Sequence, residues 1–379
     1  MTSKLGSAFA AVTAAALLPS AGAAWANQYN LQPPQSIIAS QIYDLHTLIM
    51  WIIFAIFVLV FGVMTVAIIK HRKSVGHRAE QFHENTTVEV IWTVIPFLIL
   101  IGMAYPATKT VIAMKDTSNP DITIKATGYQ WKWGYDYLQE GISFYSNLAT
   151  PRDQIDGGNN EARKQNATYL LEVDNPVVVP VGKKIRVITT ANDVIHAWWV
   201  PAFGVKQDSI PGFVRDAWFR AEKVGTYRGQ CAELCGKDHA FMPIVVEVVE
   251  QDKYAAWVAE QKKKTTVAAA AADPAKQWTL DELRGQGEKV YAANCVACHQ
   301  ANGMGVPNTF PALSGGKITT GPKPGHIDIV LNGKAGTAMA PFRHLNDVEI
   351  ASVVTYERNA WANKTGDMVT PAEIKAARK

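Results

Sequence analysis

The sequence contains few cysteines and no strongly basic segment. Its four cysteines fall into two close pairs, Cys231 with Cys235 and Cys295 with Cys298, so none is left over. The formal net charge is only +4 over 379 residues, and no basic run carries the interleaved aromatic residues that track nucleic acid. We therefore expect no nucleic-acid partner, and we expect both cysteine pairs to serve cofactor chemistry. A chain of this length predicts two or three structural units.

Long apolar stretches are confined to the N-terminal third of the chain. Residues 45–69 and 90–108 contain no Asp, Glu, Lys or Arg. As helices they would extend roughly 37 and 28 Å, which is enough to cross a bilayer. We predict a transmembrane hairpin at residues 27–115, with spans at about 46–69 and 90–110.

Residues 1–26 have the pattern of an export signal, because Lys4 precedes a small and apolar run that ends in Ala-Trp-Ala. We expect a signal peptide that is cleaved after Ala26. Residues 27–44 contain no Lys or Arg. The loop between the two spans, in contrast, carries four cationic residues, Lys70, Arg72, Lys73 and Arg78. By the positive-inside rule this loop is cytoplasmic, and the rest of the chain lies on the outer side.

The region from 121 to 250 consists of short β-branched and aromatic runs separated by Gly, Pro and Asn. Examples are residues 122–126, 177–179, 185–189 and 244–249. This pattern predicts an antiparallel β-sandwich or barrel. The polar, Gly- and Asn-rich residues 156–166 predict a surface insertion between strands.

The C-terminal region changes character. Residues 254–264 have helical character, and residues 265–276, with five successive alanines, are typical of a linker. From about Trp278 onward there are few strand signals, and the apolar spacing of residues 280–290 and 348–361 predicts helices at the two ends of a third unit.

Residues 231–242 read Cys-Ala-Glu-Leu-Cys-Gly-Lys-Asp-His-Ala-Phe-Met, and His196 lies upstream. Two thiols, two imidazoles and a thioether suit copper. A mononuclear blue-copper site needs one Cys, whereas a second Cys four residues on lets both sulfurs bridge two ions. One electron is then shared by two coppers, so bond lengths change little on reduction. A zinc site would not call for Met242, and a Cys231–Cys235 disulfide would leave the histidines unexplained.

Residues 295–299, Cys-Val-Ala-Cys-His, form the attachment signature of haem c. Its two thiols add to the vinyl groups and His299 ligates the iron, whereas a bare thiol redox pair would not need the histidine. For the sixth ligand we choose Met339, which lies 40 residues beyond His299. His/Met ligation would raise the reduction potential. The competing ligands are Met304, Met368, His326 and His344.

On the strength of His196, the 231–242 run and the two hydrophobic spans, residues 40–260 resemble cytochrome c oxidase subunit II. Residues 278–363 resemble a small class I cytochrome c. The resemblance implies a multidomain membrane protein in which the transmembrane hairpin precedes a cupredoxin-like Greek-key β-barrel at 116–260. A linker at 261–277 would lead to an all-α cytochrome c domain at 278–379.

The family resemblance also implies a ligand set for a dinuclear copper A centre. Cys231 and Cys235 would bridge the two coppers, His196 and His239 would each terminate one, and Met242 would be a weak ligand. The backbone carbonyl of Glu233 would be the other weak ligand. Its carboxylate would help to hold a magnesium ion at the boundary with subunit I.

Two further residues match the family pattern. Residues 128–137 resemble its aromatic strand, in which Trp131 is the expected point where electrons enter, although Lys132 stands where the family often has an aromatic residue. Glu89 matches an acid near the cytoplasmic mouth of a proton path into subunit I.

The implied function is that of subunit II of a haem-copper oxidase in the bacterial inner membrane, with periplasmic soluble domains. Electrons from a soluble cytochrome c or similar donor would pass through haem c and copper A into subunit I, with subunit III as a further partner. Dioxygen would be reduced to water there, coupled to proton translocation, because two spans lack the many intramembrane histidines that this chemistry requires. An alternative is the electron-transfer subunit of another reductase, such as nitric oxide reductase. A copper-delivery protein would have no use for covalent haem, and a quinol oxidase subunit II would lack the copper ligands.

Overall fold

The structure is a computed structural model, and it describes residues 30–378 except 77, 79–82, 156, 272–275 and 308. The predicted signal peptide lies outside the described residues. The helices are α1 (Ile37–His71), α2 (Thr86–Lys115), α3 (Arg152–Ile155), α4 (Asn160–Gln165), α5 (Gln251–Ala271), α6 (Leu280–Asn294), α7 (Val296–His299), α8 (Lys323–Asn332), α9 (Asp347–Asn359) and α10 (Pro371–Ala377). The strands are β1 (Ile122–Tyr129), β2 (Lys132–Tyr137), β3 (Ile142–Ser146), β4 (Val177–Pro180), β5 (Lys184–Ala191), β6 (His196–Val200), β7 (Val205–Ser209), β8 (Arg215–Arg220), β9 (Gly225–Cys231) and β10 (Pro243–Val249).

The two N-terminal helices, α1 and α2, contain the two predicted spans. Each begins at a side-chain cap, because Ser36 accepts a hydrogen bond from the Ala39 amide and Asn85 accepts one from the Val88 amide. Their most apolar windows have mean hydropathies of 3.1 and 2.0, and no residue of either window is buried within the chain. Such exposed apolar faces are stable in lipid, and the chain is a two-span membrane protein with soluble domains.

Strands β1–β10 form a sandwich of two five-stranded sheets, with the orders β3-β2-β1-β5-β8 and β4-β10-β9-β6-β7. Trp133, Trp198 and Phe219 are among the side chains that fill the space between the sheets. Most pairs are antiparallel as predicted, but β1 pairs with β5 in parallel, and so does β4 with β10. The predicted sandwich is confirmed, but the prediction that its strands are antiparallel is wrong for these two pairs. A parallel pair joins strands that are distant in sequence, and local alternation cannot reveal its direction.

Two contacts hold the sandwich against the membrane hairpin. Ser36 Oγ, just before α1, donates to the Phe203 carbonyl at 2.7 Å. Trp218 Nε1, on β8, donates to the Ala113 carbonyl in the last turns of α2 at 3.0 Å. These hydrogen bonds join the sandwich to the start of α1 and to the last turn of α2.

Helix α5 leaves the sandwich and packs back on it through Tyr254 and Trp257, with the Trp257 and Tyr137 rings 5.1 Å apart. The predicted helix at 254–264 is present, but it continues to Ala271, into the segment predicted to be a linker. The helix is longer than predicted because alanine, which dominates the added turns, has the highest intrinsic helix propensity, and the linker at 261–277 stays a prediction.

The C-terminal region is helical, as predicted. The expected helices at 280–290 and 348–361 are observed as α6 and α9, which cross at Gly287. A Cβ atom on Gly287 would lie 2.0 Å from the Ser352 carbonyl oxygen of α9, so the helix backbones touch there. Leu331, Ile350 and Val354 are fully buried in this separate core.

Candidate copper and haem sites

The predicted copper ligands converge at one end of the sandwich. His196 begins β6 and Cys231 ends β9, while the other four, Glu233, Cys235, His239 and Met242, follow on the loop that leads into β10. The two Sγ atoms of Cys231 and Cys235 lie 3.8 Å apart. His196 Nδ1 lies 3.9 Å from Cys231 Sγ, and His239 Nδ1 lies 3.4 Å from Cys235 Sγ. Met242 Sδ is 3.6 Å from Cys235 Sγ.

This arrangement fits two bridged copper ions better than one. Each thiol has its own imidazole, and the two sulfurs are neighbours, as a pair of shared ligands requires. His196, Cys231 and Cys235 are buried and present their ligand atoms within 4.8 Å of one another. The donors are the soft set that copper prefers.

Glu233 presents its backbone and its side chain in different directions. Its carbonyl oxygen lies 3.3 Å from Cys231 Sγ, inside the ligand cluster. Its side chain is exposed. The carbonyl therefore lies where the resemblance expects a weak ligand, while the carboxylate is free to contact a second ion or subunit.

The protonation of the thiol pair is asymmetric. A hydrogen bond from Cys235, with further contributions from His196 and backbone groups, holds the pKa of Cys231 far below its usual value. The same pair interaction, together with burial, raises the pKa of Cys235. Deprotonation is therefore favoured at Cys231 over Cys235, and the thiolate is the ligating form.

Asp193 orients His196, and our sequence analysis did not identify it. Its Oδ1 lies 2.9 Å from His196 Nε2, and its Oδ2 accepts a hydrogen bond from the Gln130 amide at 2.8 Å. Burial alone would lower the pKa of His196, but the contacts with Asp193 and Cys231 raise it overall. A proton on Nε2 leaves the Nδ1 lone pair facing the thiols. The sequence feature that could have identified Asp193 is its position, as an acid three residues before the candidate ligand His196.

Trp131 lies in the turn between β1 and β2 and contacts the ligand loop directly. Its Nε1 donates to the Cys235 carbonyl at 3.1 Å, and Gln130 Nε2 donates to the same oxygen at 2.9 Å. Gly236 adopts φ +113°, and a Cβ there would approach both side chains to 3.1 Å. The turn and the copper loop therefore interlock closely.

Glu89 is remote from this cluster in the fold. It lies in the first turn of α2, where its carboxylate accepts a hydrogen bond from the Asn85 amide at 3.3 Å. This contact caps the helix. A role in a proton path stays a prediction.

The haem-attachment residues line a cavity of about 390 Å³ in the C-terminal domain. Cys295, Cys298 and His299 stand in its wall together with Met339. His299 Nδ1 lies 2.9 Å from the Pro311 carbonyl, to which it must donate because a carbonyl only accepts. This bond leaves Nε2 as the free lone pair, which is the usual arrangement of a metal-binding histidine. The residues present therefore fit a covalently attached haem.

The competing ligands are placed less favourably. Among the residues that the structure describes, Met304, Met368 and His344 do not line the cavity. His326 does, but its Nε2 is engaged by Glu357 at 2.7 Å. Met339 remains the best-placed candidate for the sixth ligand.

Three family models match the chain. They describe the transmembrane domain of cytochrome c oxidase subunit II at residues 23–110, its periplasmic domain at 122–249, and subunit III of cbb3-type cytochrome c oxidase at 283–356. These matches agree with the expected order of a two-helix hairpin, a cupredoxin-like domain and a cytochrome c domain. They also agree with the cofactor classes expected of such domains, copper A and haem c.

Two individual relatives give the same result. The chain is 39% identical over 242 residues to cytochrome c oxidase subunit 2 of Cereibacter sphaeroides, covering 61% of this chain and 79% of that one. It is 38% identical over 237 residues to a probable cytochrome c oxidase subunit 2 of Rickettsia bellii, covering 62% and 85%. The periplasmic domain of subunit II of cytochrome oxidase from Bradyrhizobium japonicum is 50% identical, with coverage of 38% and 96% and a TM-score of 0.34.

Proposed function

The chain belongs to the cytochrome c oxidase subunit II family, and from this premise we propose that it is the electron-accepting subunit of a bacterial respiratory oxidase. It is a component of a haem-copper oxidase enzyme, in which subunit I is its partner. We place its soluble domains on the periplasmic side of the inner membrane. A soluble cytochrome c or a similar carrier donates the electrons, and subunit III is a further partner.

Each residue of the copper cluster has a distinct role as a ligand in this proposal. Cys231 and Cys235 would hold both coppers through their sulfurs, His196 and His239 would each hold one, and Met242 and the Glu233 carbonyl would be weak ligands. When bound, the dinuclear copper and the haem each supply a one-electron redox centre. Cys295, Cys298 and His299 would hold the haem, and Met339 would supply its sixth ligand. The sandwich core excludes water from the buried thiols.

Electron flow runs from the soluble donor to the haem domain, then to the copper cluster and into subunit I. Dioxygen is reduced to water in subunit I, coupled to proton translocation. We further propose that the exposed Glu233 carboxylate helps to hold a magnesium ion at the boundary with subunit I, and that Glu89 serves the mouth of a proton path.

One observation carries this proposal: two buried thiols 3.8 Å apart, each with an imidazole beside it. The test is metal analysis with a visible and near-infrared spectrum of the purified full chain. We expect two coppers and one covalent haem per chain. Cys235→Ser should remove the copper and keep the haem, whereas Cys298→Ser should weaken the covalent haem and keep the copper. One copper or none in the unaltered chain would contradict the proposal.

Co-purification separates the oxidase from the alternative reductase. We expect a polytopic haem subunit whose preparation consumes dioxygen with reduced cytochrome c. Consumption of nitric oxide but not of dioxygen would favour the alternative instead.

A further inference from the structure

The turn between β1 and β2 touches both candidate sites. Gln130 lines the haem cavity, and its Nε2 donates to the carbonyl of the copper ligand Cys235 at 2.9 Å. Among the described lining residues, Gln130 is the one contributed from outside the C-terminal domain. Trp131, the expected point where electrons enter, contacts the copper loop but does not line the cavity.

Lys132 connects this turn to the haem domain. It is only 5% exposed, and its Nζ hydrogen-bonds the side chain of Asn294, the residue before Cys295. The same Nζ lies 4.3 Å from the centre of the Tyr145 ring, within cation–π range. A buried lysine is costly unless it is paired, so these contacts give a physical reason for lysine at a position where the family often has an aromatic residue.

Further contacts between the two domains lie on either side of Lys132. The ring of His344, from the haem domain, lies 4.7 Å from that of Tyr129 and 5.8 Å from that of Tyr145. Lys237, on the copper loop, donates to the Ala297 carbonyl between the two haem-attachment cysteines at 3.3 Å. The haem domain is therefore held by the β1–β2 turn and by the copper loop at once.

We propose that the chain's own haem domain occupies the electron-accepting surface of the copper domain, with Lys132 as its anchor and Gln130 as the bridge to Cys235. A separate soluble cytochrome then reaches the outer side of the haem domain and not the β1–β2 turn. Each transfer across the interface oxidises the haem iron by one electron and reduces the copper pair by one electron, with no bond made or broken. The direction of flow rests on the proposed function, whereas the docking does not.

Lysine acylation of the haem- and copper-loaded chain, read by mass spectrometry, tests the docking alone. Lys206, exposed on β7 of the same domain, is the matched control. We expect Lys132 to be acylated at least about tenfold more slowly than Lys206, since labelling must await undocking. Burial lowers the pKa of Lys132 to about 8 and so raises its neutral, reactive fraction in the docked state, which means that slow labelling there would come from inaccessibility and not from protonation.

Asn294→Ala removes the partner of Lys132 and should accelerate Lys132 labelling while Lys206 is unchanged. Equal labelling of Lys132 and Lys206 in the unaltered chain would overturn the docking. That result would leave the metal content and the spectrum untouched, so failure of the docking is distinguishable from failure of the proposed function.

Rapid mixing with reduced soluble cytochrome c tests the route. We expect the fused haem to be reduced before the near-infrared copper band bleaches. Gln130→Ala should slow the second phase, whereas Gln207→Ala, a matched change on β7, should not. Copper bleaching before or without reduction of the fused haem would refute the proposed occlusion, and an unchanged second phase in Gln130→Ala would refute the bridge.

Discussion

Asp193→Asn tests whether the ligand geometry depends on a residue that does not touch the metal. The carboxylate accepts three hydrogen bonds, from the His196 ring, the Gln130 amide and the Val194 amide. An asparagine side chain has one acceptor oxygen and two N–H donors. In either orientation, the asparagine NH2 group would face an N–H donor of His196, Gln130 or Val194. The His196 ring could avoid this clash only by moving its proton to Nδ1, the nitrogen that should bind copper.

The expected cost follows from this mismatch. One unsatisfied buried donor costs about 1–3 kcal/mol, and the side chain of Asp193 is only 7% exposed. Loss of an orienting partner typically weakens metal affinity by about 10- to 100-fold, which is about 1.4 to 2.7 kcal/mol. The two ranges overlap, and we expect the copper affinity of Asp193→Asn to decrease by about 10- to 100-fold.

The assay is competition for copper with a chelator of known affinity, followed by the near-infrared band of the full chain. Asp208→Asn, a partly exposed position on the neighbouring strand β7, makes the same charge change and is the matched control. Unaltered copper affinity in Asp193→Asn, or an equal loss in both variants, would refute the argument from orientation.

Three further predictions concern the haem domain. Met339→Ala should lower the haem reduction potential and remove the spectral signature of sulfur ligation, whereas Met304→Ala should do neither; the reverse outcome would reassign the ligand. Burial, aided by the charge of Lys132, lowers the pKa of His344 to about 4 from 6.5, so the contribution of His344 to docking is complete above pH 6.5 and is lost as pH falls towards 4. At pH 5 the protonation of His344 should cost docking about 2 kcal/mol. Acylation of Lys132, measured at an early time point and corrected for the pH dependence of the reagent, should therefore be faster at pH 5 in the unaltered chain but not in His344→Phe. Gly287→Ala forces a methyl group against the backbone of α9 and should lower the free energy of unfolding, measured with denaturant, by about 3 kcal/mol. Gly285→Ala, which has open space at its Cβ, should leave that free energy unchanged or raise it, and equal effects of the two changes would contradict the close helix contact.

The sequence predicts those parts of the sites whose residues lie close together along the chain, because their spacing alone indicates the chemistry. Two thiols four residues apart with His239 and Met242 behind them lie on one loop, so their convergence needs little help from the rest of the fold. The haem motif is contained in five residues. The two spans follow from uncharged length, since a helix in lipid must satisfy every backbone hydrogen bond within itself.

Other residues could not be found in this way. Asp193 looks like any loop acid until β6 brings His196 beside it. Lys132 departs from the expected aromatic pattern, and only the contact with Asn294, 162 positions away, explains its burial. The parallel pairing of β1 with β5 is likewise invisible to a two-residue period.

The sequence by itself determined the cofactor classes, the ligands that cluster along the chain and the order of the three units, because motif spacing and hydrophobic length are local properties. The tertiary structure alone decided which groups orient those ligands and how the haem domain rests on the β1–β2 turn. These contacts join residues that are far apart in sequence, and their energies depend on burial and geometry that exist only after the sheets and helices have packed.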